Sequence, residues 1–361
     1  NLYGKALGLE ISRDLRDDLL FKKSRAIQQA GNVGQAVQDF QAYLTEFDPA
    51  WTGPAGSGTA RLPMQNPPPA GKHIAMARYR LAESQIQAGN LAAGRMELED
   101  LLKRVDKPSA ASDALKAELE TVEGAKLLAE IRWLMVESYF RQSDAAAGGP
   151  NTVAQQAKQT IGNTGGLPST DATLYVLRDG DLDGALKSCR DYLAAFPEGS
   201  RAVRAAWMIA EANQTAGRAD DAIEAFREFI AGQGFRLPDG EEALRFDEEL
   251  RAAPATHRAN LKMRAVFRVG TILNQQKKRT EAIATWQSYV KDFPNGPQWS
   301  DSQNAIIDAE FQMGMDALAE QNETLALRRF EAFLRAHPLD RSAPRILYIF
   351  GAVPEAKARS L

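Results

Sequence analysis

Three aspartates at alternate positions, Asp179-Gly180-Asp181-Leu182-Asp183-Gly184, are the stretch of this chain with the most suggestive chemistry. Acids at the first, third and fifth positions with glycine at the sixth make the first half of a calcium loop. There the carboxylates converge on a hard cation and the glycine supplies the sharp turn. The second half is absent, because the bidentate acid of such a loop falls on Arg190. A polar turn whose aspartates cap the following helix accounts for the same residues, and is the expected reading.

The other reactive residue types are scattered. His73, His257 and His337 lie far apart, and none has a second His, Cys or acid at zinc-ligand spacing. The single cysteine, Cys189, excludes an intrachain disulfide and occupies an apolar slot, so a buried thiol is expected rather than an activated nucleophile. Gly162-Asn163-Thr164-Gly165-Gly166 lacks the Lys-Ser/Thr of a phosphate loop and follows no apolar strand. Neighbouring acids such as Glu248 and Glu249 have nothing around them to set their pKa values apart, as general acid–base chemistry requires, and read as solvated helix surface. No catalytic residue, metal or cofactor is nominated, and an enzyme is not expected.

Composition narrows the classes further. The chain has 361 residues, 44% hydrophobic and 25% charged, with a net charge of -3. That length exceeds one ordinary core, so two domains or a repeat array are expected. The slightly acidic balance argues against nucleic acid as a partner. The longest strongly apolar run, Ile346 to Val353, falls well short of the roughly 20 residues of a membrane-spanning helix. The chain opens on Asn1 rather than Met, which points to a processed or trimmed form from which a targeting segment has been removed.

The elements that carry these residues recur. A small residue followed by large side chains at +4, +7 and +11 occurs six times. The units are Ala36-Phe40-Tyr43-Phe47, Gly94-Leu98-Leu101-Val105, Ala185-Cys189-Tyr192-Phe196, Ala222-Phe226-Phe229, Ala282-Trp286-Tyr289-Phe293 and Ala326-Phe330-Phe333-His337. This spacing lays one apolar stripe along a helix. Pro49, Pro197, Pro294 and Pro338 end four of these helices, and Gly232 and Gly234 end the fourth unit's. First helices are expected upstream, over about Ala202–Thr215, Lys262–Gln275 and Ser302–Ala319 for the last three units.

This pattern resembles the tetratricopeptide repeat (TPR). A small residue stands at the repeat's eighth position (Ala210, Gly270, Gly314), Ala at its twentieth (Ala222, Ala282, Ala326) and an aromatic at its twenty-fourth (Phe226, Trp286, Phe330). The first unit departs from it, with Lys23 and Ser24 where apolar and small residues belong. Unit spacing is irregular: only the 37 residues from Ala185 to Ala222 approach the roughly 34 of a strict array. The resemblance implies an all-α fold, a TPR-like superhelical solenoid of antiparallel helix pairs with a concave groove. The endings Phe196-Pro-Glu-Gly-Ser200 and Phe293-Pro-Asn-Gly-Pro297 are similar to those of bacterial envelope TPR proteins, namely the β-barrel assembly lipoprotein and the Tol–Pal coordinator.

Interruptions set the expected organisation. Residues 1–50 hold the first helical repeat, 51–72 a Pro/Gly-rich loop or linker, and 73–142 a repeat plus long helices that Gly124 splits. Residues 143–170 form a loop-rich insertion around a short helix at 153–160, and 171–361 carry repeats and a C-terminal capping helix. An acidic insertion follows Gly232, with Asp239 and Asp247.

Arg264 and Arg268 fall at two basic positions of the carboxylate clamp by which some TPR domains hold a peptide C-terminus. They are the candidate peptide-binding residues, with salt bridges to a glutamate on the neighbouring helix as the alternative. The rest of the clamp is missing: Met208 stands where Asn is wanted, and Thr170 and Leu174 where Lys and Asn are wanted. The resemblance therefore implies a non-catalytic scaffold that binds a protein or peptide in its groove, in the periplasm or associated with the cell envelope, with self-association as a further route to partners. The alternative is the accessory region of a larger enzyme or envelope assembly. A helical sugar-cleaving enzyme would need two carboxylates facing one cleft, and no such pair is named.

Overall fold

The computed structural model describes residues 2–53, 69–106, 113–144, 173–236 and 254–359. Helices dominate them, and the expected pairs form. The chain divides into two compact units, Asn1–Arg141 with Leu177–Phe196, and Gln142–Val176 with Pro197–Leu361.

The first unit contains α1 (Leu2–Leu7), α2 (Arg13–Gln29), α3 (Val33–Phe47), α4 (Ile74–Gln87), α5 (Leu91–Asp106), α6 (Asp113–Leu119), α7 (Val122–Tyr139) and α8 (Leu182–Ala195). Tight turns make α2/α3 and α4/α5 antiparallel pairs. Gly31 and Gly89 adopt positive φ there, at +80° and +85°, which a side chain would resist. Asn32 then caps α3 by accepting from the Gln35 amide. Thr121 caps α7 by accepting from Gly124, so the long apolar stretch divides just before that glycine. The Glu118 carboxylate on α6 accepts from the Ala75 and Met76 amides at 2.7 and 3.1 Å, capping from outside the helix the buried start of α4, which His73 leaves uncapped.

A buried ionic cluster ties the end of α3 to α4 and α5. Arg78 is 1% exposed and donates to Asp48 at 2.8 Å, Glu97 at 3.2 Å and Asp100 at 2.6 Å. Trp51, buried although it begins the Pro/Gly-rich stretch, donates its indole N–H to Glu97. Arg104 adds bonds to Asp100 and to the Ala50 carbonyl. Burial pushes the Glu97 carboxyl up, against the opposing pull of Arg78 and the Trp51 bond. At the far side of the same stretch, the amides of Gly71 and Lys72 donate to Phe47 O and to the buried Asp17.

Burial also pushes the Tyr79 hydroxyl on α4 up to about 12. A phenol whose folded pKa lies above its unfolded value of about 10 stabilises the fold fully below that pH and loses its contribution as pH rises toward the folded value. Tyr79 therefore removes on the order of 3 kcal/mol between pH 10 and 12. Urea melts across that range should show a shallower alkaline loss in Tyr79→Phe than in the parent. Equal slopes would dismiss the assignment.

Between α7 and α8 the chain forms β1 (Phe140–Asp144) and β2 (Thr173–Leu177), paired in a two-stranded ladder. This corrects the register expected for the third unit. The first helix paired with α8 is α7, joined across a long insertion, and Leu174 lies in a strand. Thr170 and the stretch 153–160 fall outside the described residues.

The second unit continues with α9 (Ser200–Thr215), α10 (Ala219–Ala231), α11 (Pro254–Gln275), α12 (Arg279–Asp292), α13 (Trp299–Ala319), α14 (Glu323–Ala336) and α15 (Ala343–Arg359), each packed on the next, α10 packing on α11. Gly232 terminates α10 in the left-handed conformation. Beyond it Phe235 stacks on Phe229, and Arg236 exchanges backbone hydrogen bonds with Pro197 and Gly199. The acidic stretch with Asp239 and Asp247 lies outside the described residues.

Candidate functional site

The repeated feature of the pairs is an aromatic seat. In α9 Trp207 stands three residues before the buried Ala210, and its ring meets both Phe226 and Phe229 of α10 at 5.3 Å. In α11 Phe267 precedes Gly270 by the same interval and meets Trp286 and Tyr289 of α12, each at 6.4 Å. In α13 Phe311 precedes Gly314 and meets Phe330 and Phe333 of α14 at 5.9 and 6.0 Å. Phe21 and Ser24 repeat the arrangement in α2, where Phe21 meets Phe40 and Tyr43. The small residue is needed because the aromatic at +4 lies directly on it. A Cβ on Gly270 would come 2.4 Å from Trp286, and one on Gly314 2.3 Å from Phe330. The first-helix aromatic went unread in the sequence, although its fixed interval before the small residue was available.

Arg264 and Arg268 lie on α11 and face α9. The two guanidinium carbons sit 5.3 and 5.9 Å from the Trp207 ring centroid. Arg268 donates to Glu211 at 3.2 Å and Gln214 at 2.8 Å. Glu211 is 2% exposed, and a carboxylate buried that far needs a counter-charge. Arg268 is engaged by the preceding first helix, the salt-bridged arrangement anticipated as the alternative. Met208 is core.

The calcium-like stretch is divided between two structural tasks. Asp181 caps α8 by accepting from Gly184 at 2.9 Å, and Asp179 pairs with Arg95. Burial acts against the Asp179 charge, but the Arg95 hydrogen bond and its positive charge prevail and hold the carboxyl below its ordinary range. Arg95 also donates to Ser138 and lies 3.7 Å from the Tyr139 ring centroid, fixing the turn before α8 to α7.

His73 bonds Asp18 at 2.8 Å and stacks on Phe21, while His337 bonds Glu310 at 2.8 Å and packs against Phe333. Cys189 is fully buried in the aromatic slot of its pair, and burial pushes its thiol up, away from nucleophilic chemistry. The His257 side chain, the glycines of 162–166 and Glu248–Glu249 lie outside the described residues.

An open cleft of about 640 Å³ lies beside α10, lined by Asp220, Glu224, Arg227 and Glu228 together with Lys278 and Glu281. Hydrogen bonds from Lys278 and Gln276 hold the Asp220 carboxyl below its ordinary range, opposite to the raised pKa of a general acid. Among the described residues no helix is long and apolar enough to cross a membrane.

Two family models, each described as tetratricopeptide repeat, match residues 174–236 and 264–296. The chain thus carries tetratricopeptide repeats where the sequence pattern is most regular. Among solved structures, it is similar to the crystal structure of yeast Tom70 at 11% identity and a TM-score of 0.20, over 96% of this chain and 66% of that one. It is also similar to the crystal structure of the P58(IPK) TPR domain at 14% identity and a TM-score of 0.20, over 95% of this chain and 99% of that one. At those scores the overlays carry no argument of their own. No curated protein matches the chain.

Proposed function

We propose that this repeat-bearing chain is a non-catalytic scaffold that binds a polypeptide partner along the first-helix face of its second unit, around Arg264 and Arg268. The observation that carries the proposal is the succession of aromatic-seated helix pairs α9/α10, α11/α12 and α13/α14, two of whose segments match tetratricopeptide repeats. Such pairs bury their stripes only by stacking, which leaves one row of first helices as a continuous surface for a helix or extended segment. A partner carboxylate would meet the guanidinium pair over Trp207 and would have to compete with Glu211 for Arg268. We place the protein in a bacterial cell envelope, on the Phe-Pro-x-Gly endings at Phe196 and Phe293.

The test is photo-crosslinking in the host extract from single positions. Lys262 and Gln312 are exposed on the first helices α11 and α13, and Gln287 and Arg328 are exposed on the second helices α12 and α14. One partner captured from the first pair of positions and not from the second supports the reading. Capture from the second pair alone, or from none, overturns it.

A further inference from the structure

The turn that joins α12 to α13 carries a reactive dipeptide. Asn295 is the only asparagine in the chain followed by glycine. In such a pair the glycine's backbone nitrogen can attack the asparagine side-chain amide, because no Cβ shields that nitrogen and the glycine backbone turns freely. The corresponding turns after α8 and α14 place Glu198 and Leu339 directly after their prolines, so neither offers this chemistry.

Asn295 is exposed, and its side-chain amide lies open to water and base. The nitrogen that would attack it is tied down. Gly296 donates its N–H to the Phe293 carbonyl at 2.9 Å, closing a four-residue turn with Pro294 in its second place. The Gly296 carbonyl accepts from the Trp299 amide at 3.0 Å. The Tyr289 hydroxyl accepts from the Gln298 amide at 3.1 Å and donates to the Gln298 side-chain oxygen at 3.0 Å. A Cβ on Gly296 would come 2.4 Å from that hydroxyl, so the glycine is seated directly on it. Pro297 restricts Gly296 from the other side. Attack requires the peptide unit to rotate until its nitrogen meets Cγ of Asn295, and to give up its proton. Rotation breaks the bonds at both ends of Gly296, and the Phe293 carbonyl holds the proton in place.

We infer that Asn295 is a self-modification site, held unreacted by the folded turn and released when the α12–α13 joint opens. In the open chain the Gly296 nitrogen loses its proton to base and attacks Cγ. The new N–C bond closes a succinimide ring as the Cγ–Nδ2 bond breaks, and the amide leaves as ammonia after taking a proton from solvent. Water then opens the ring at one carbonyl or the other. One water is consumed and one ammonia released, giving aspartate or isoaspartate without any oxidant or cofactor. Isoaspartate routes the main chain through Cγ and lengthens it by one carbon. Gly296 is then displaced from Tyr289 and Phe293, so the joint does not reclose as before. The modification goes beyond the scaffold reading and does not rest on it.

The full chain is incubated in mildly alkaline buffer, folded and in parallel in urea. The proteolytic peptide holding Asn295 is then weighed for the mass gain of an amide becoming an acid. Conversion in the folded chain is expected to run at least about tenfold slower than in urea. Two variants loosen the turn at separate points. Tyr289→Phe deletes the hydroxyl and keeps the ring, and Pro297→Ala frees Gly296 at an exposed position. Conversion should rise at least about threefold over the parent in each variant that circular dichroism finds folded. The isoaspartate form, made in urea, isolated and refolded, should be cut by protease within residues 293–299 at least about tenfold faster than the parent. No conversion at Asn295 in urea would dismiss the site. Equal rates folded and in urea, or folded variants as slow as the parent, would overturn the hold by the turn. Cleavage of the isoaspartate form at the parent's rate would overturn the lasting break.

Discussion

Arg78→Met is expected to destabilise the first unit by about 3–5 kcal/mol, the loss seen when one member of a buried ionic cluster is removed. Arg78 is 1% exposed, and Asp48 and Glu97, at 2% and 3%, have no water to replace its charge. The thioether fills much of the guanidinium's volume, so the effect is electrostatic rather than a cavity. Glu97, already pushed up by burial, also loses the opposing pull of Arg78. A carboxyl with a folded pKa above its unfolded value stabilises the fold below the unfolded pKa and stops doing so as pH rises through the folded one. The deficit in Arg78→Met should therefore be largest at neutral pH and shrink on acidification. A triple variant that also carries Asp48→Asn and Glu97→Gln should recover part of the loss, because the uncompensated charges are gone. Urea unfolding followed by circular dichroism measures all three. A change under 1 kcal/mol in the single variant would mean that water reaches the cluster.

Alanine at three glycines, each three residues after an aromatic, should act with opposite signs. Gly270→Ala and Gly314→Ala place a Cβ 2.4 and 2.3 Å from the rings of Trp286 and Phe330, and backing the rings away costs about 1–3 kcal/mol. Helix propensity returns about 1 kcal/mol of that. Gly351→Ala has the same propensity gain and no clash, so it should stabilise the C-terminal pair by about 1 kcal/mol. Thermal melts of the three variants test the contrast. Equal destabilisation would show that the face of α15 is covered.

The sequence determined the second helix of every pair. Ala282, Trp286 and Tyr289 lie on one stripe because helical periodicity is written within a single segment, and all three are buried as that stripe requires. The turns were equally legible where glycine marked them, at Gly31, Gly89 and Gly217. The turns at Lys277 and Gln321, which use the same left-handed backbone with φ of 62° and 60°, carry no such mark.

Tertiary structure decided what depends on which helices become neighbours. That α7 rather than a segment near Leu174 pairs with α8 follows from packing across an insertion, for which no local pattern exists. The hydrogen bonds of Arg268 could not be read locally, because its partners Gln214 and Glu211 stand 54 and 57 positions away. The Arg78 cluster gathers acids from the end of α3 and from α5 in the same way. The exposure of Tyr348 on α15 belongs to this second class. The sequence places Tyr348 three residues before Gly351, but only the packing of α15 shows that, among the described residues, this aromatic is exposed while its counterparts are seated on rings.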